Sequence, residues 1–320
     1  MTSDAGMPSL QLNAHPGDEL VMRIGIPHRG GRLAFHAFQN EYPAMVSASA
    51  FWNRRAGRFV IPDHSNIHEL DFALDSAGFT VARAWKKSGP QPGLGRIFPW
   101  TLAQYMELAH SCGAAWWSQP DLCCEPEIAA SRDEVDFRVR ATATFLEASM
   151  QQLYAWQSEL ARNLPARVVA NMAWPCVPVI QGWQADDYLR SLDLLMQVWE
   201  RWQPWVAPPA LIGIGSVCRR PLHHPTHGLY AILRALDGRL PAVAKAHLFG
   251  VKGAGVAGFK SLPWVASADS MAYDFTERVN AHRRGESNTI EARAQAMSRW
   301  MGKTEAAMRP GGAVQGLLAL

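Results

Sequence analysis

Two aspartates, far apart in the chain, each stand at the end of a short apolar segment. Asp75 follows apolar residues 72–74 and precedes a turn of small residues at 76–78, and Asp269 follows the apolar residues 264–268. A small-residue turn lets the backbone beside such a carboxylate come close to a ligand. Two carboxylates at one site can serve glycosidic chemistry, one as nucleophile and the other as acid or base. Taken singly, either aspartate is better explained as the cap of the next helix.

Polar and aromatic residues follow several of the other apolar segments. A carboxylate, an amide and exposed glycine backbone offer both donors and acceptors, which suits the edge of a planar nitrogenous ligand between aromatic rings. From the residues alone, the pattern indicates a glycosyl-transfer or hydrolytic enzyme. The candidate ligand-binding residues are Asp121, Gln181, Gly213, Gly215, Phe79 and Phe249.

The apolar segments form an ordered series that predicts the fold. Eight runs are suited to strands that are covered on both faces, at residues 44–48, 72–75, 114–118, 177–181, 211–215, 246–250, 258–262 and 264–268. Helical patterns fill most of the gaps, at residues 101–110, 127–160, 186–201, 226–236 and 288–301. Alternation of this kind predicts an α/β fold, a (β/α)8 TIM barrel, whose active site lies at the carboxyl ends of the strands.

The predicted barrel has irregular ends. The last two gaps are too short for full helices, and residues 20–27 are predicted to form a strand outside the barrel. We expect one catalytic domain over residues 1–320, with a barrel core at about residues 44–285 and a C-terminal helical extension at residues 286–320.

Basic residues follow several predicted strands and would share the rim of the site. Each alone is explained as part of a solvated face, but together they would form a positive collar that binds the phosphates of a nucleic acid. The candidates for phosphate contact are Arg54, Arg55, Lys86, Lys87, Arg219, Arg220, Lys252 and Arg283.

Composition narrows the class of protein. The chain has 320 residues, 48% of them hydrophobic, and a formal net charge of +3, which by itself does not indicate nucleic-acid binding. Its 5 cysteines include no CxxC pair, which is typical of reduced thiols in an intracellular protein. A metal at Cys218 with His223, His224 and His227 is a weak alternative because the spacing is unusual for a tetrahedral site. With no long apolar run and no signal-like N-terminus, we expect a cytoplasmic protein that does not span a membrane.

Four short motifs, in order, give the chain a family resemblance. It resembles the tRNA-guanine transglycosylases (queuine tRNA-ribosyltransferases), and most of all their shortened relatives in phages and bacteria that insert 7-deazaguanines into DNA. The similar motifs are D-S-A-G-F at residues 75–79, where the family has D-S-G-G-[FY]; V-I-Q-G at 179–182; L-F-G-V at 248–251; and A-D-S-M-A-Y at 268–273.

The resemblance implies a role for each matching residue. Asp269 would be the nucleophile that attacks the sugar C1′ and holds a covalent glycosyl intermediate, and Asp75 would be the general acid/base. Asp121, Gln181 and the backbone of residues 213–215 would read the base edge, and Phe79 and Phe249 would sandwich its rings. The substrates would be guanine-containing DNA and a free 7-deazaguanine such as 7-cyano-7-deazaguanine, with the target base flipped out if the DNA is duplex.

Departures from the family favour DNA over tRNA. The chain lacks the Cys/His zinc site of bacterial tRNA enzymes and ends about fifty residues after Asp269, without the RNA-binding domains of archaeal ones. We therefore expect a pentosyltransferase that acts on DNA without a cofactor, in host cytoplasm if a phage encodes it. A tRNA-guanine transglycosylase and a non-catalytic nucleic-acid-binding subunit stay as alternatives, and a homodimer is left open.

Overall fold

Eight parallel strands curl into one sheet, with the order β6-β5-β2-β1-β10-β9-β8-β7. The structure is a computed structural model that describes residues 20–27, 31–62 and 66–309. Two further strands, β3 and β4, pair as a separate antiparallel hairpin. The strands are β1 (Val21–Ile26), β2 (Ala44–Ser47), β3 (Trp52–Asn53), β4 (Arg58–Phe59), β5 (Phe72–Asp75), β6 (Trp116–Trp117), β7 (Val179–Ile180), β8 (Leu211–Ile214), β9 (Lys245–Leu248) and β10 (Val265–Ser270).

A short seam joins the two ends of this sheet. Ser118, directly after β6, forms a parallel bridge with Val177, directly before β7. The side chain of Gln119 strengthens the seam because its amide oxygen accepts a hydrogen bond of 3.1 Å from the backbone N–H of Val179. The curled sheet and this bridge give the TIM-barrel-like fold that the sequence predicts.

Two of the strand predictions need correction. Residues 20–27 do form a strand, but β1 is one of the strands of the barrel wall and is hydrogen-bonded to β2 and β10. The barrel core therefore begins well before residue 44. Residues 258–262 do not form a strand: the short helix α8 (Val256–Phe259) ends within them, and a turn follows. A five-residue apolar run satisfies a buried helical turn as well as a strand, so periodicity alone does not separate them.

Each of the five predicted helices is present with shifted ends, and the last one continues to Met308 instead of residue 301. The described residues contain five further helices that the sequence did not predict, at residues 32–39, 78–88, 166–172, 256–259 and 272–284. Thr101 caps α3 with a reciprocal capping box to Gln104, and Ser131 caps the long α4. The helices are α1 (Arg32–Gln39), α2 (Gly78–Ser88), α3 (Leu102–Ser111), α4 (Arg132–Leu160), α5 (Ala166–Met172), α6 (Ala185–Arg201), α7 (Leu229–Leu236), α8 (Val256–Phe259), α9 (Ala272–Arg284) and α10 (Ile290–Met308). No helix among the described residues is long and apolar enough to cross a membrane.

The interior of the barrel is filled by one face of each strand. Met45, Ala73, Trp116 and Leu211 form a small buried cluster there. Because side chains alternate along a strand, the residues two positions further on face inward near the carboxyl ends. This alternation carries Asp75 into the same space as the cluster, at the end of the barrel where such enzymes bind substrates.

Candidate active site

The carboxyl ends of the strands bring together the acids and the amide that the sequence singles out. Asp75 ends β5, Asp121 lies in the loop after β6, Gln181 follows β7 directly, and Asp269 lies near the end of β10. Asp121, Gln181 and Asp269 are buried, while Asp75 is partly exposed. The charges of both other aspartates act on Asp75, so the three carboxyl groups share one site.

Asp269 has one carboxylate oxygen held and the other unpaired. Its Oδ1 accepts hydrogen bonds from the backbone N–H of Gly250 at 2.8 Å and from Nε2 of His247 at 3.3 Å. Its Oδ2 has no hydrogen-bond partner among the described residues. A carboxylate fixed at one oxygen in this way presents the other to an electrophile.

His247 is a residue that sequence reasoning missed. It lies fully buried on β9, and its Nδ1 lies 2.7 Å from the hydroxyl of Ser267. Burial lowers the pKa of His247, so the ring is neutral at pH 7. Since a carboxylate only accepts, Nε2–H donates to Asp269 and Nδ1 accepts from Ser267. The available signal was a single histidine in an otherwise apolar strand, which is too weak to separate an active-site group from a core residue.

Asp75 has the ionisation behaviour of a general acid/base. Burial, reinforced by the negative charges of Asp121 and Asp269, raises its pKa to about 7. The hydrogen bond of 3.0 Å from the N–H of Ala77 opposes this rise only in part. A group that titrates near neutral pH can both give and take a proton under physiological conditions.

The turn after Asp75 explains why this motif needs small residues. Ala77 has φ 71°, in the left-handed region, which costs a residue with a side chain about 1 kcal/mol. A Cβ on Gly78 would lie 2.7 Å from the backbone oxygen of Asp121 and 3.0 Å from its carboxylate. Gly78 therefore lets Asp121 approach the start of α2.

Asp121 is tied to the predicted amide. Its carboxylate accepts from the hydroxyl of Ser76 at 2.5 Å, and from Nε2 of Gln181. Burial raises the pKa of Asp121 to about 6 against the effect of these two hydrogen bonds. The pair presents a fixed set of donors and acceptors to the space beside Asp75.

The network continues to a buried acid that the sequence did not reveal. The hydroxyl of Ser216 lies 2.6 Å from Oε1 of Gln181 and 3.0 Å from Oε2 of Glu125. Glu125 is 7% exposed, and burial raises its pKa. A glutamate four residues after Asp121 resembles an ordinary loop residue in the sequence, because nothing in the pattern indicates burial.

The two predicted base-binding glycines make room for neighbouring side chains. A Cβ on Gly213 would lie 2.5 Å from the ring of Phe249, and one on Gly215 would lie 2.1 Å from the amide of Gln181. Their backbone N–H groups donate within the sheet, to Pro178 and Ile180. They therefore position the aromatic and amide groups of the site, and their N–H groups are not free to read a base.

The two predicted aromatic walls have different surroundings. Phe249 is half-buried and packs edge-on against His247, with ring centroids 4.6 Å apart. Phe79 lies on the first turn of α2, where the guanidinium groups of Arg219 and Arg83 lie 5.4 and 5.8 Å from its ring centre. The structure thus combines an aromatic rim with positive charge beside it.

A group of six predicted phosphate contacts is exposed, and one of them, Arg219, lies beside the ring of Phe79. Arg219 and Lys252 are exposed, and Lys252 Nζ lies 3.4 Å from the backbone oxygen of Arg219. Lys86 and Lys87 line a surface cavity of about 210 Å³ together with Glu127, whose backbone oxygen accepts from Lys86. Arg54 and Arg55 are exposed in the β3–β4 hairpin that follows β2.

Two other predicted phosphate contacts need correction. Arg220 is 1% exposed and donates five hydrogen bonds, to the backbone oxygens of four residues and to a tyrosine hydroxyl. It therefore holds loops together and cannot reach a phosphate. Arg283 is exposed in the last turn of α9, and that helix runs 13 residues, about 20 Å, away from the carboxyl end of β10. It therefore lies away from the rim.

The cysteines and surface histidines do not form a metal cluster in the described part of the chain. There, no group of three or more His, Cys, Asp or Glu side chains is arranged to hold an ion. Cys218 packs against Gly250, and the rings of His224 and His227 stack on one another with centroids 3.4 Å apart.

Comparison with known proteins identifies the family. No curated protein matches the chain. The sequence model of one family, described as "DpdA: DeoxyPurine in DNA protein A", matches residues 54–310, which is most of the chain and includes every predicted catalytic and base-binding residue. The chain thus belongs to the DpdA family of transglycosylases, pentosyltransferases that are related to the tRNA-guanine transglycosylases and modify DNA.

Proposed function

We propose that this protein exchanges guanine in DNA for a free 7-deazaguanine, such as 7-cyano-7-deazaguanine, through a covalent glycosyl intermediate on Asp269. The observation that carries the proposal is the pairing of two unlike carboxyl groups. Asp269 has one oxygen held and one unpaired, while the neighbouring Asp75 has its pKa raised to about 7. A retaining transfer needs this combination of a nucleophile and an acid/base.

In the first step, Oδ2 of Asp269 attacks C1′ of the target nucleotide. The bond between C1′ and N9 breaks, its electron pair goes to the base, and protonated Asp75 supplies the proton that makes guanine a neutral leaving group. Positive charge builds on the sugar only near the transition state, so the carboxylate stabilises that state more than the substrate.

In the second step, the chemistry runs in reverse with a new base. Asp75, now ionised, takes the N9 proton of the incoming 7-deazaguanine, and N9 attacks C1′ as the bond to Asp269 breaks. Inversion at each step gives net retention, so the DNA keeps its β-glycosidic configuration.

Base recognition is assigned to Asp121 and Gln181. The Asp121 carboxylate would accept from the N–H groups of the guanine edge, and the second N–H of the Gln181 amide would donate to the exocyclic oxygen. Guanine and its 7-deaza analogues share this edge, so one pocket serves both the leaving and the entering base.

DNA would be held by its phosphates at the rim and would present a flipped base to the pocket. Arg219, Lys252, Lys86 and Lys87 are the described basic residues best placed for this, and Arg54 and Arg55 extend the surface on the side of β2. Phosphate contacts of this kind fix the register of the strand without reading its sequence.

The decisive experiment traps the intermediate. The protein is mixed with guanine-containing DNA without acceptor base, denatured, and examined for a covalent protein–DNA adduct; nucleoside mass analysis after addition of labelled guanine or 7-cyano-7-deazaguanine then measures exchange. We expect Asp269→Asn to lose both the adduct and the exchange while binding DNA normally. Asp193→Asn, the same change on the exposed face of α6, is the matched control.

Two outcomes would contradict the proposal. Undiminished exchange in Asp269→Asn would remove this residue from the nucleophile role. Adduct formation with an RNA stem-loop but not with DNA would favour the tRNA-type activity, because a site that requires a 2′-OH rejects deoxyribose.

A further inference from the structure

The hydroxyl of Ser216 has three hydrogen-bonding neighbours but only one proton to donate. The backbone N–H of Cys124 donates to it at 2.6 Å, Oε1 of Gln181 lies 2.6 Å away, and Oε2 of Glu125 lies 3.0 Å away. If the hydroxyl donates its hydrogen to Gln181, no hydrogen is left between Ser216 Oγ and an ionised Glu125, and two acceptor oxygens would face each other. The contact is satisfied only when Glu125 carries a proton and donates it to Ser216.

One other arrangement satisfies every group. The amide of Gln181 turns over, so that its nitrogen donates to Ser216 and its oxygen faces Asp121. Ser216 then donates to ionised Glu125, and Asp121 must carry the proton to donate to the turned amide. Both arrangements contain a single proton, on Glu125 in the first and on Asp121 in the second.

The backbone supports the view that the position of this hydroxyl matters. Ser216 has φ 51°, in the left-handed region that favours glycine. A serine is kept there against the local conformational preference, and strain of this kind is characteristic of functional sites.

We propose that Glu125 is a positioning residue that shares one proton with Asp121 through Ser216 and the Gln181 amide, and that this proton sets the hydrogen-bonding polarity of the base pocket. The inference depends on the proposed function, since it assigns a role in reading the base. With the proton on Glu125, the pocket offers a carboxylate acceptor and an amide donor, which match the guanine edge. With the proton on Asp121, that proton is donated to the turned amide, the amide offers the base an acceptor in place of a donor, and the match is lost.

The charged and titratable groups around Glu125 act in opposite directions. The ionised glutamate is favoured by hydrogen bonds from its own backbone N–H, the Ser216 hydroxyl and the Cys123 thiol, and by the guanidinium of Arg220 from the loop after β8. The negative charge of Asp121, from the loop after β6, acts against ionisation, and the thiols of Cys124 and Cys218 act in the same direction when they are ionised. Burial favours the neutral acid and outweighs the hydrogen bonds and Arg220, so the pKa of Glu125 is raised.

The test is the pH dependence of base binding in Glu125→Gln. The new amide donates to Ser216 as the protonated acid does, but it cannot lose that proton. Ionised Glu125 competes with Gln181 for the proton of the Ser216 hydroxyl, so loss of the shared proton leaves the Gln181 amide without its fixed partner. We therefore expect the KM for free 7-cyano-7-deazaguanine to rise about tenfold in the wild type between about pH 6 and about pH 9, and to stay nearly constant in Glu125→Gln. Glu107→Gln, the same change at an exposed position on α3, should keep the wild-type profile.

A second variant removes the hydroxyl without a backbone cost. Ser216→Gly suits the positive φ, so we expect a folded protein whose KM for the base is raised about tenfold at every pH while its kcat changes less. An identical rise of KM with pH in the wild type and in Glu125→Gln would overturn the proposal, as would an unchanged KM in Ser216→Gly.

An infrared measurement without substrate separates the two proposals. Near neutral pH the wild type should show a carboxylic acid carbonyl band from the shared proton in addition to that of Asp75, and Glu125→Gln should lose this additional band while Glu107→Gln keeps it. If Glu125→Gln loses this band but the wild type shows no base exchange, the shared proton is supported and the proposed function is overturned. If the wild type exchanges bases but Glu125→Gln keeps the band, only the proposal of a shared proton is overturned.

Discussion

The proposed base-reading side of the site, on the loops after β6, β7 and β8, differs from the proposed nucleophile side, on β9 and β10, in how its carboxylates are held. Both oxygens of Asp121 accept hydrogen bonds, and its partner Gln181 is fixed in turn by Ser216. On the other side, the hydrogen bonds to Asp269 reach only one of its two oxygens among the described residues. Asp121 is held at both oxygens, which defines the saturated side, although each oxygen keeps a further acceptor position for a base. Asp269 is held at one oxygen, which defines the incomplete side.

This difference follows from what each side has to do. A group that recognises a base edge must keep its donors and acceptors in one arrangement, because selectivity comes from mismatched partners being left unpaired. A nucleophile must keep a lone pair free and gain its stabilisation only as the bond forms. The comparison predicts that changes on the base-reading side alter KM and that changes on the nucleophile side alter kcat.

Asp75 stands between the two sides and should give the largest effect. We expect Asp75→Asn to lower the rate of exchange about 1000-fold, because the amide can neither protonate the leaving guanine nor deprotonate the incoming base. Single-turnover exchange measured by nucleoside mass analysis checks this value. A loss below tenfold would place the acid/base elsewhere.

The same variant has a stability signature that separates lost chemistry from lost folding. The folded-state pKa of Asp75 is raised above its unfolded value, so the wild type loses stability as pH rises from about 4 to about 7 and stays at the lower value above that. Asp75→Asn lacks this penalty. We expect it to be more stable than the wild type by about 4 kcal/mol at pH 8, and by much less at pH 4, in denaturant unfolding.

Asp121→Asn tests the saturated side. The amide cannot accept from the guanine edge at both of its positions, and loss of a charge-assisted hydrogen bond corresponds to about a 50-fold rise in KM for the free base. We expect kcat to fall much less. A drop in kcat with an unchanged KM would reverse the assignment of the two sides.

His247→Phe tests the incomplete side. Without the Nε2–H donor, the carboxylate of Asp269 loses one of its two hydrogen bonds, and we expect kcat to fall about tenfold at an unchanged KM for the base. His247→Gln, which keeps an N–H donor, should recover part of the loss. Equal kcat values for both variants would mean that the ring only fills space.

The smallest effect is expected at the rim, where neighbouring arginines differ. Arg219→Ala should weaken DNA binding about threefold and lower the salt slope by about one, because an exposed phosphate contact contributes mainly electrostatically. Arg220→Ala should instead destabilise the fold, since five hydrogen bonds are lost. DNA affinity against salt concentration, with thermal unfolding, tests the pair; equal effects on DNA affinity would return Arg220 to the rim.

The sequence predicted the barrel and the two acids because local patterns specify them. The apolar run before Asp75 predicts a strand, and the small residues after it predict both the end of that strand and a turn that another group can approach closely. Gln181 and Asp121 follow from the same reasoning about strand ends. These features need no knowledge of which strands are neighbours.

Features that depend on burial could not be predicted in this way. Arg23 interrupts the apolar pattern of β1, so the sequence does not identify this segment as a barrel strand. In the structure Arg23 is 6% exposed and pairs with Asp71, which allows β1 to be part of the barrel wall. Arg219 and Arg220 are identical in sequence, and only the folded loops decide which one is covered. His247 and Glu125 likewise owe their roles to groups that lie far from them in the chain or across a loop.

The short seam of the barrel has a consequence for how the protein responds to its ligand. In the part of the chain that the structure describes, one bridge with two backbone hydrogen bonds and the Gln119 amide join the edges of β6 and β7. The contact between Asp121 and Gln181 spans the same gap at the mouth of the barrel. A base bound by both Asp121 and Gln181 would stabilise the seam between β6 and β7. Amide hydrogen exchange at Gln119 and Val179 should then be slower when a base is bound, because base binding suppresses local opening of the seam.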